Sequence, residues 1–351
     1  MRNKSSYPVE QQNNLFFTLF CIALSLIYSC LLLLTGKLNT SADYFFSTVF
    51  FDMWKHLINF DLGINPNLIG GEGFWMRDKT TVYFLPLPAL IRGFLSLFNL
   101  GECAICSMLL AVCLFVTASL ILWQSIYLNA TTALQNQPIQ GYRLGIALFS
   151  ICTPFMSTLA YPGIFWEAIA WGATSLIIAM ALSVRLLRNI ATTTSTITYL
   201  AFTISCGASL FTRATVSFTA CWLFLLTTVL FLYQKRSTNE NLFTLTRKNQ
   251  LVIANCIIFG FFLGCLLLFN YLKWGNPFEF YPIEHYKMFG QEELMLYQKI
   301  GALHLNRIPE NFTYFFIPSK SNFIANFPYL QMGINPYLNL VDKFNYQEPT
   351  L

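Results

Sequence analysis

Long apolar runs with at most one charged residue are the feature of this sequence that most constrains its fold. Seven such runs occur, at residues 15–35, 103–128, 144–160, 164–184, 197–212, 214–234 and 249–272. A transmembrane helix needs about 20 apolar residues, and a charge at the bilayer centre costs at least about 2.5 kcal/mol. The runs therefore predict an all-α, polytopic transmembrane helix bundle of about seven or eight spans.

The composition excludes a chain that folds around one soluble core. Hydrophobic residues make up 55% of the sequence and charged residues only 11%, and the mean hydropathy is +0.53. Soluble domains carry about 25% charged residues. We therefore expect an integral membrane protein surrounded by membrane lipids, with no nucleic-acid partner.

Basic residues in the connecting segments predict the orientation of the bundle. They fall on one side if segment 82–97 does not cross: Arg2, Lys4, Arg143, Arg185, Arg188, Lys235, Arg236, Arg247 and Lys248. Because Lys and Arg are retained in the cytoplasm, that side and the N-terminus are expected to be cytoplasmic. Residues 1–272 then form the bundle, with an outer loop at 37–92, and residues 273–351 form an extracytoplasmic segment.

Segment 82–97 is the part of the chain on which this orientation depends. Pro86, Pro88, Gly93 and the charge of Arg92 favour a broken or re-entrant segment, although its length nearly permits a span. A crossing here would reverse every later loop. We therefore predict that the segment re-enters the membrane without crossing it.

The outer loop, residues 37–92, contains an amphipathic pattern. Apolar residues recur at spacings of three and four along this part of the loop: Phe46, Val49, Phe50, Met53, Trp54, Leu57 and Ile58. This spacing predicts a helix whose aromatic face lies at the membrane interface. Turn residues follow, and residues 72–79 are expected to form a compact charged and aromatic connector.

Two aspartates of the outer loop are candidate general bases. Asp52 falls on the predicted amphipathic helix, and Asp43 lies near the end of the first crossing. A carboxylate in either place is able to take a proton from an acceptor hydroxyl. The alternative for each is a solvated polar face.

Several charged side chains are candidates for substrate binding. The cations expected at the outer face are Arg77, Lys79, Arg92, Arg213 and Lys273. Phosphate oxygens accept charge-assisted hydrogen bonds from such groups, whereas the alternative is anchoring at helix ends. Glu167 is added because an ionisable residue in a membrane span is a functional-site candidate. Its alternative is a position at the lip of the bilayer, facing water.

No cofactor or metal is expected. The sequence has no Walker sequence, G-x-G-x-x-G or H-E-x-x-H, and Glu279, Glu284, His285 and His304 match no ligand spacing. All ten cysteines, including the C-x-x-C pair Cys103 and Cys106, lie in or at the edge of apolar runs. They are expected to be small hydrophobic residues rather than disulfides or metal ligands.

Three stretches carry a resemblance to a known family. They are YFLPLPALIR at 83–92, FTRAT at 211–215 and FNYLKWGNPFEF at 269–280. With the acidic outer loop that precedes them, they resemble membrane glycosyltransferases of the GT-C superfamily, in particular the protein mannosyltransferase-like group that uses polyprenyl-phosphate sugars. The likeness touches most of the chain as scattered patches.

The resemblance is to bacterial enzymes, and it implies a hexosyltransferase that acts at the outer face of the inner (plasma) membrane of a bacterium. A polyprenyl-phosphate-linked sugar is the donor, a lipid or protein is the acceptor, and an acidic residue of the first outer loop is the base. Asp43 and Asp52 match that residue, and Asp43 is slightly favoured because it lies nearer the membrane boundary.

Two alternatives remain open. A lipid or glycolipid carrier or flippase would depend on Glu167 and Arg213 more than on the outer-loop aspartates. The resembling enzymes continue with several more helices, so a truncated, non-catalytic membrane protein is the other alternative.

Overall fold

Eight helices and two short hairpins make up the part of the chain that the structure, a computed structural model, describes. That part comprises residues 20, 23, 24, 27, 47–70, 73–76, 78–130, 164–188, 194–236, 247–280, 282, 285–287, 321–323 and 330–332. The helices are α1 Val49–Leu57, α2 Pro66–Ile69, α3 Leu87–Ser96, α4 Ala104–Ala130, α5 Ile164–Arg188, α6 Thr194–Ser209, α7 Ala214–Arg236 and α8 Arg247–Trp274. The antiparallel hairpins are β1 Phe74–Met76 with β2 Lys79–Thr81, and β3 Ser321–Phe323 with β4 Leu330–Met332.

Four helices are long and apolar enough to cross a membrane. Their apolar stretches are Ala104–Trp123, Glu167–Arg188, Ala214–Tyr233 and Asn249–Trp274. They coincide with four of the seven predicted runs, which confirms the helical, membrane-type fold in this coarser form. The number of spans stays a prediction, because run 144–160 lies outside the described residues and run 15–35 is described only at residues 20, 23, 24 and 27.

Helix α6 is too short for a full crossing, as the length of run 197–212 already indicates. Its 16 residues rise about 24 Å, against about 30 Å for the hydrocarbon core. Phe211 and Thr212 already belong to the turn between α6 and α7. The apolar run therefore includes the turn as well as the helix.

The long helices pack around α5, which contacts α4, α6 and α7, while α6 also contacts α8. Aromatic rings fill the space between α6, α7 and α8: the Phe202 and Phe224 ring centroids lie 6.0 Å apart, and Phe224 stacks on Phe259 at 4.1 Å. A buried hydrogen bond from Thr203 Oγ1 to Asn255 Oδ1, 2.7 Å long, joins α6 to α8. Away from this core, α7 and α8 expose large apolar side chains such as Trp222, Leu226, Ile257 and Phe261, as expected of surfaces that face lipid.

The predicted amphipathic helix is present as α1, but its apolar face turns inward. Val49, Phe50 and Met53 are buried and pack in one cluster with Phe84 and Ala168. The expectation that this face lies at the membrane interface is therefore wrong for these three residues, because α3 and α5 cover it. The helical spacing was predicted correctly, whereas the elements that cover the apolar face are set by tertiary contacts.

Helix α3 occupies most of segment 82–97. Its ten residues rise only about 15 Å, half the hydrocarbon thickness, so this helix is too short to span. The Leu87 N–H donates to the Phe211 carbonyl at 2.8 Å, which ties the start of α3 to the turn between α6 and α7. Re-entry of segment 82–97 into the membrane stays a prediction.

Gly93 of α3 lies against the indole of Trp54 on α1. A Cβ atom at residue 93 would sit 2.3 Å from Trp54 Cδ2. We expect Gly93→Ala to lower the free energy of unfolding by about 1–3 kcal/mol, because the indole must shift to relieve the overlap. Denaturant unfolding in detergent measures the effect. Gly260→Ala is the control, since a Cβ there meets nothing within 4 Å; equal stabilities of the two variants would contradict the close α1–α3 contact.

The β1–β2 hairpin replaces the connector predicted at residues 72–79. Asp78 takes the positive φ of 64° in its turn, a conformation that Asp tolerates better than most residues. A later part of the chain lies against this hairpin: Tyr286 forms a bridge with Phe74, and Lys287 Nζ donates to Thr80 Oγ1 at 2.8 Å. The outer loop and residues 285–287 therefore form one folded unit.

Candidate functional site

A cavity of about 400 Å³ lies where the outer loop meets the end of α8. Two of the predicted cations, Lys79 on β2 and Lys273 in the last turn of α8, line it together with Asp61. Apolar side chains form much of the remaining wall, including Leu57, Phe60, Leu62, Met76 and Leu272. We call this cavity the lysine pocket.

Lys273 is the most unusual group of the lysine pocket, because it is only 4% exposed. Its Nζ donates to the Phe84 carbonyl at 3.0 Å and lies 4.9 Å from the Trp274 ring centroid and 5.2 Å from that of Phe269. None of the carboxylates that the structure describes pairs with it. A buried lysine without a counter-ion is costly to keep charged, and a carbonyl and two aromatic faces offset only part of that cost. An anion bound in the pocket would stabilise the charged form.

Asp61 holds Lys79 in the wall of the pocket. Lys79 Nζ donates to Asp61 Oδ1 at 2.7 Å, the Gly63 N–H donates to the same oxygen at 3.0 Å, and His56 Nδ1 lies 2.8 Å from Oδ2. The hydrogen bond from Lys79, followed by that from Gly63, holds the pKa of the Asp61 carboxyl well below its usual range. Asp61 is thus a fixed anion and a weak base. Asp61 was not selected from sequence, because one aspartate after a helix carries no distinctive signal.

This arrangement predicts how stability depends on pH. Ionised Asp61 stabilises the loop, and its folded pKa is depressed, so its contribution is fully present above the unfolded value of about 3.9. The contribution is lost as the pH falls below that value towards the folded pKa. We expect the difference in melting temperature between wild type and Asp61→Asn to shrink as the pH falls below about 4. A difference that grows below this pH would contradict the assigned contacts.

Asp52, one of the two predicted bases, lies beside this group but does not line the pocket. Its Oδ2 accepts a hydrogen bond from the Asn65 N–H at 2.8 Å and lies 3.7 Å from His56 Nε2. His56 therefore stands between the carboxylates of Asp52 and Asp61. The other predicted base, Asp43, and the predicted cation Arg77 lie outside the described residues.

Arg92 and Glu167, both predicted to bind substrate, bond to each other inside the protein. Arg92 Nε and Nη2 donate to the two oxygens of Glu167, each at 2.8 Å. Arg92 is 0% exposed and Glu167 1%. Further donors of Arg92 reach the Gly101 and Ser47 carbonyls at 3.1 and 3.0 Å. These contacts give both side chains a structural role, whereas their binding of substrate stays a prediction.

A serine and a tryptophan complete this ion pair. Ser107 Oγ on α4 donates to Glu167 Oε1 at 2.6 Å, and Trp171 Nε1 donates to Ser107 Oγ at 3.0 Å. The network joins α3, α4 and α5. Neither Ser107 nor Trp171 was selected from sequence, because a lone serine in an apolar run is ordinary.

Arg213 lies outside the lysine pocket. It is half-buried in the turn between α6 and α7, and its carbonyl accepts a hydrogen bond from the Ser217 N–H at 2.8 Å. The turn touches α3 through Phe211, so Arg213 lies near the same end of the bundle as the pocket. Its predicted contact with substrate stays a prediction.

Within the described part of the chain, His, Cys, Asp and Glu form no group of three or more that would hold a metal ion. Of the residues weighed as metal ligands from sequence, Glu284 and His304 lie outside that part.

Comparison of the chain with family models, with curated proteins and with solved structures finds no match. The functional assignment therefore depends on the chemistry of the site.

Proposed function

We propose that this protein is a membrane glycosyltransferase that moves a sugar from a polyprenyl-phosphate donor to a lipid or protein acceptor at the outer face. One observation supports this proposal above the others. Lys273, which is buried and pairs with none of the carboxylates that the structure describes, shares a cavity of about 400 Å³ with Lys79. Two ammonium groups at one end of a set of apolar helices suit a phosphate attached to a lipid.

The walls of the lysine pocket suit both parts of such a donor. Leu57, Met76 and Leu272 offer apolar surface to the first isoprene units, while Lys79 and Lys273 offer donors to the phosphate oxygens. Leu272 is also 53% exposed on α8, so an apolar part of the pocket wall is accessible from outside the protein. A lipid-linked donor is able to enter sideways from the bilayer.

The reaction would be an inverting displacement. The acceptor hydroxyl oxygen attacks the anomeric carbon, the bond from that carbon to the phosphate oxygen breaks, and polyprenyl phosphate leaves. The hydroxyl proton passes to an outer-loop aspartate, for which Asp52 and Asp43 remain the candidates. Asp61 suits this role poorly because Lys79, Gly63 and His56 already contact its carboxylate.

The experiment is transfer of labelled sugar from polyprenyl-phosphate sugars by the purified protein. We expect Asp52→Asn or Asp43→Asn to lower the rate by about 100-fold or more, because general-base catalysis contributes about 10²–10⁴. Asp78→Asn is the matched control, since Asp78 is exposed in a turn and Asn tolerates its positive φ. Full activity of both Asp52→Asn and Asp43→Asn would remove the proposed base.

The same assay tests the carrier alternative. Labelled lipid that crosses the vesicle membrane without forming product would favour a carrier or flippase. Product formation with no crossing supports the transferase.

We further propose about seven or eight spans in the inner membrane of a bacterium, with the N-terminus in the cytoplasm. The basic ends of the long helices support this orientation, because Arg185, Arg188, Arg236 and Arg247 lie at the ends opposite Glu167 and Lys273. The lysine pocket then faces the outside.

A further inference from the structure

Two cysteines meet at the start of α4, close to the buried Arg92–Glu167 pair. Cys103 immediately precedes the helix, and its carbonyl accepts a hydrogen bond from the Ser107 N–H at 3.3 Å. The Cys106 N–H donates to Cys103 Sγ at 3.3 Å. Both residues are free thiols and partly exposed. The first turn of the helix therefore places the two side chains on one face.

A simple capping role does not account well for this pair. Cys103 occupies the place where Ser, Thr, Asp or Asn normally accepts a hydrogen bond from the third helical residue. A thiol sulfur is a weak acceptor, so the residue supplies a poor cap. A second cysteine three positions later adds nothing to the cap. Sulfur chemistry gives both residues a purpose, because a Cys-x-x-Cys pair is able to alternate between two thiols and one disulfide.

The turn that holds the pair is fixed on both sides. Before it, the Gly101 carbonyl accepts a hydrogen bond from Arg92 Nη1 at 3.1 Å; after it, Ser107 Oγ donates to Glu167 Oε1 at 2.6 Å. Residues three apart on a helix have Cβ atoms about 5–6 Å apart, and a disulfide needs about 3.5–4.5 Å. To close that gap, Cys103, which precedes the regular helix, has to move its Cβ by about 1–2 Å.

We propose that Cys103 and Cys106 form a reversible disulfide, which makes this turn a thiol–disulfide exchange site. The co-reactant is a disulfide, R–S–S–R. The Cys103 thiolate attacks one of its sulfurs and releases a first R–SH after protonation; the Cys106 thiolate then attacks Cys103 Sγ and releases a second R–SH. Two protein thiols become one disulfide, and one external disulfide becomes two thiols. This inference is independent of the proposed transferase activity.

The position of the pair suits this chemistry. Glu102, the residue before Cys103, is exposed, and its Oε1 lies 3.8 Å from Lys55 Nζ of the outer loop. The pair therefore lies at the end of the bundle that is predicted to face the outside. Disulfides persist in the oxidising extracytoplasmic compartment. From sequence, these cysteines were expected to be only small hydrophobic residues. The contact between Cys103 Sγ and the Cys106 N–H is seen only in the structure.

The test uses the full-length protein in lipid nanodiscs with 4,4′-dithiodipyridine, a disulfide small and apolar enough to reach thiols at a membrane surface. The peptide that carries residues 103 and 106 is then analysed by mass spectrometry. We expect wild type to lose two hydrogens on this peptide and to retain no pyridyl group. In Cys103→Ser or Cys106→Ser, the remaining thiol should keep one pyridyl group. Serine at residue 103 preserves the cap, so that variant retains the fold.

Cys113→Ser is the control and should behave as wild type, because Cys113 lies further along α4. Two stable pyridyl adducts in wild type, one on each cysteine, would overturn the proposal. Two unmodified thiols would overturn it equally, as would a disulfide from either cysteine to another residue.

Discussion

Arg92→Met is expected to lower the free energy of unfolding by about 3–5 kcal/mol, because it leaves the carboxylate of Glu167 buried without its partner. Glu167 is 1% exposed, and both of its oxygens accept from Arg92 at 2.8 Å. Thermal or denaturant unfolding of the purified protein in detergent measures the loss. No other single substitution proposed for this protein should destabilise it as much.

Two further variants separate a structural role of this pair from substrate binding. Glu167→Gln keeps an acceptor for Ser107 but loses the charge, and the double variant Arg92→Met/Glu167→Met removes both charges. We expect the double variant to recover part of the stability lost in Arg92→Met, because replacing both members of a buried ion pair by apolar residues is often nearly neutral. An Arg92→Met protein with wild-type stability that fails only to bind donor would contradict this account and favour the role predicted from sequence.

Lys273→Met is expected to weaken binding of the lipid-phosphate donor by about 10–100-fold, because a hydrogen bond to a charged group contributes about 1.5–3 kcal/mol. The same variant should fold at least as well as wild type, since it replaces a buried lysine that pairs with none of the described carboxylates by an apolar chain of similar length. The dependence of transfer rate on donor concentration measures the effect as a raised KM.

The control for Lys273→Met is Lys55→Met, which removes a 55% exposed lysine of the outer loop next to Glu102. It should leave the KM for the donor unchanged. An unchanged KM in Lys273→Met would show that no phosphate binds at this end of the lysine pocket. A parallel loss in both variants would indicate a general electrostatic effect instead of a specific contact.

The helical architecture was readable from sequence because apolar runs interrupted by charges report directly on membrane helices. Four of the predicted runs became helices of span length. Two features were not predicted: the apolar run of α6 continues into a turn, and the β1–β2 hairpin forms in the outer loop. Strands of three residues in a charged stretch leave no periodic signal.

The candidate site was predictable only one residue at a time. Arg92 and Glu167 each drew attention as charges in apolar surroundings, yet they are 75 residues apart in sequence, and their pairing follows from the packing of α3 against α5. Lys79 and Lys273 were both expected at the outer face. Their meeting in one cavity, and the capture of Lys79 by Asp61, depend on how the hairpin docks on the end of α8.

The central claim is that the lysine pocket binds the phosphate of a lipid-linked sugar. Equilibrium binding of polyprenyl phosphate and of the matching neutral polyprenol, measured on the protein in nanodiscs, tests it most directly. The account predicts that the phosphate binds at least about tenfold more tightly than the alcohol, and that Lys79→Met/Lys273→Met abolishes the difference. Equal affinity of the wild-type protein for the two lipids would contradict it.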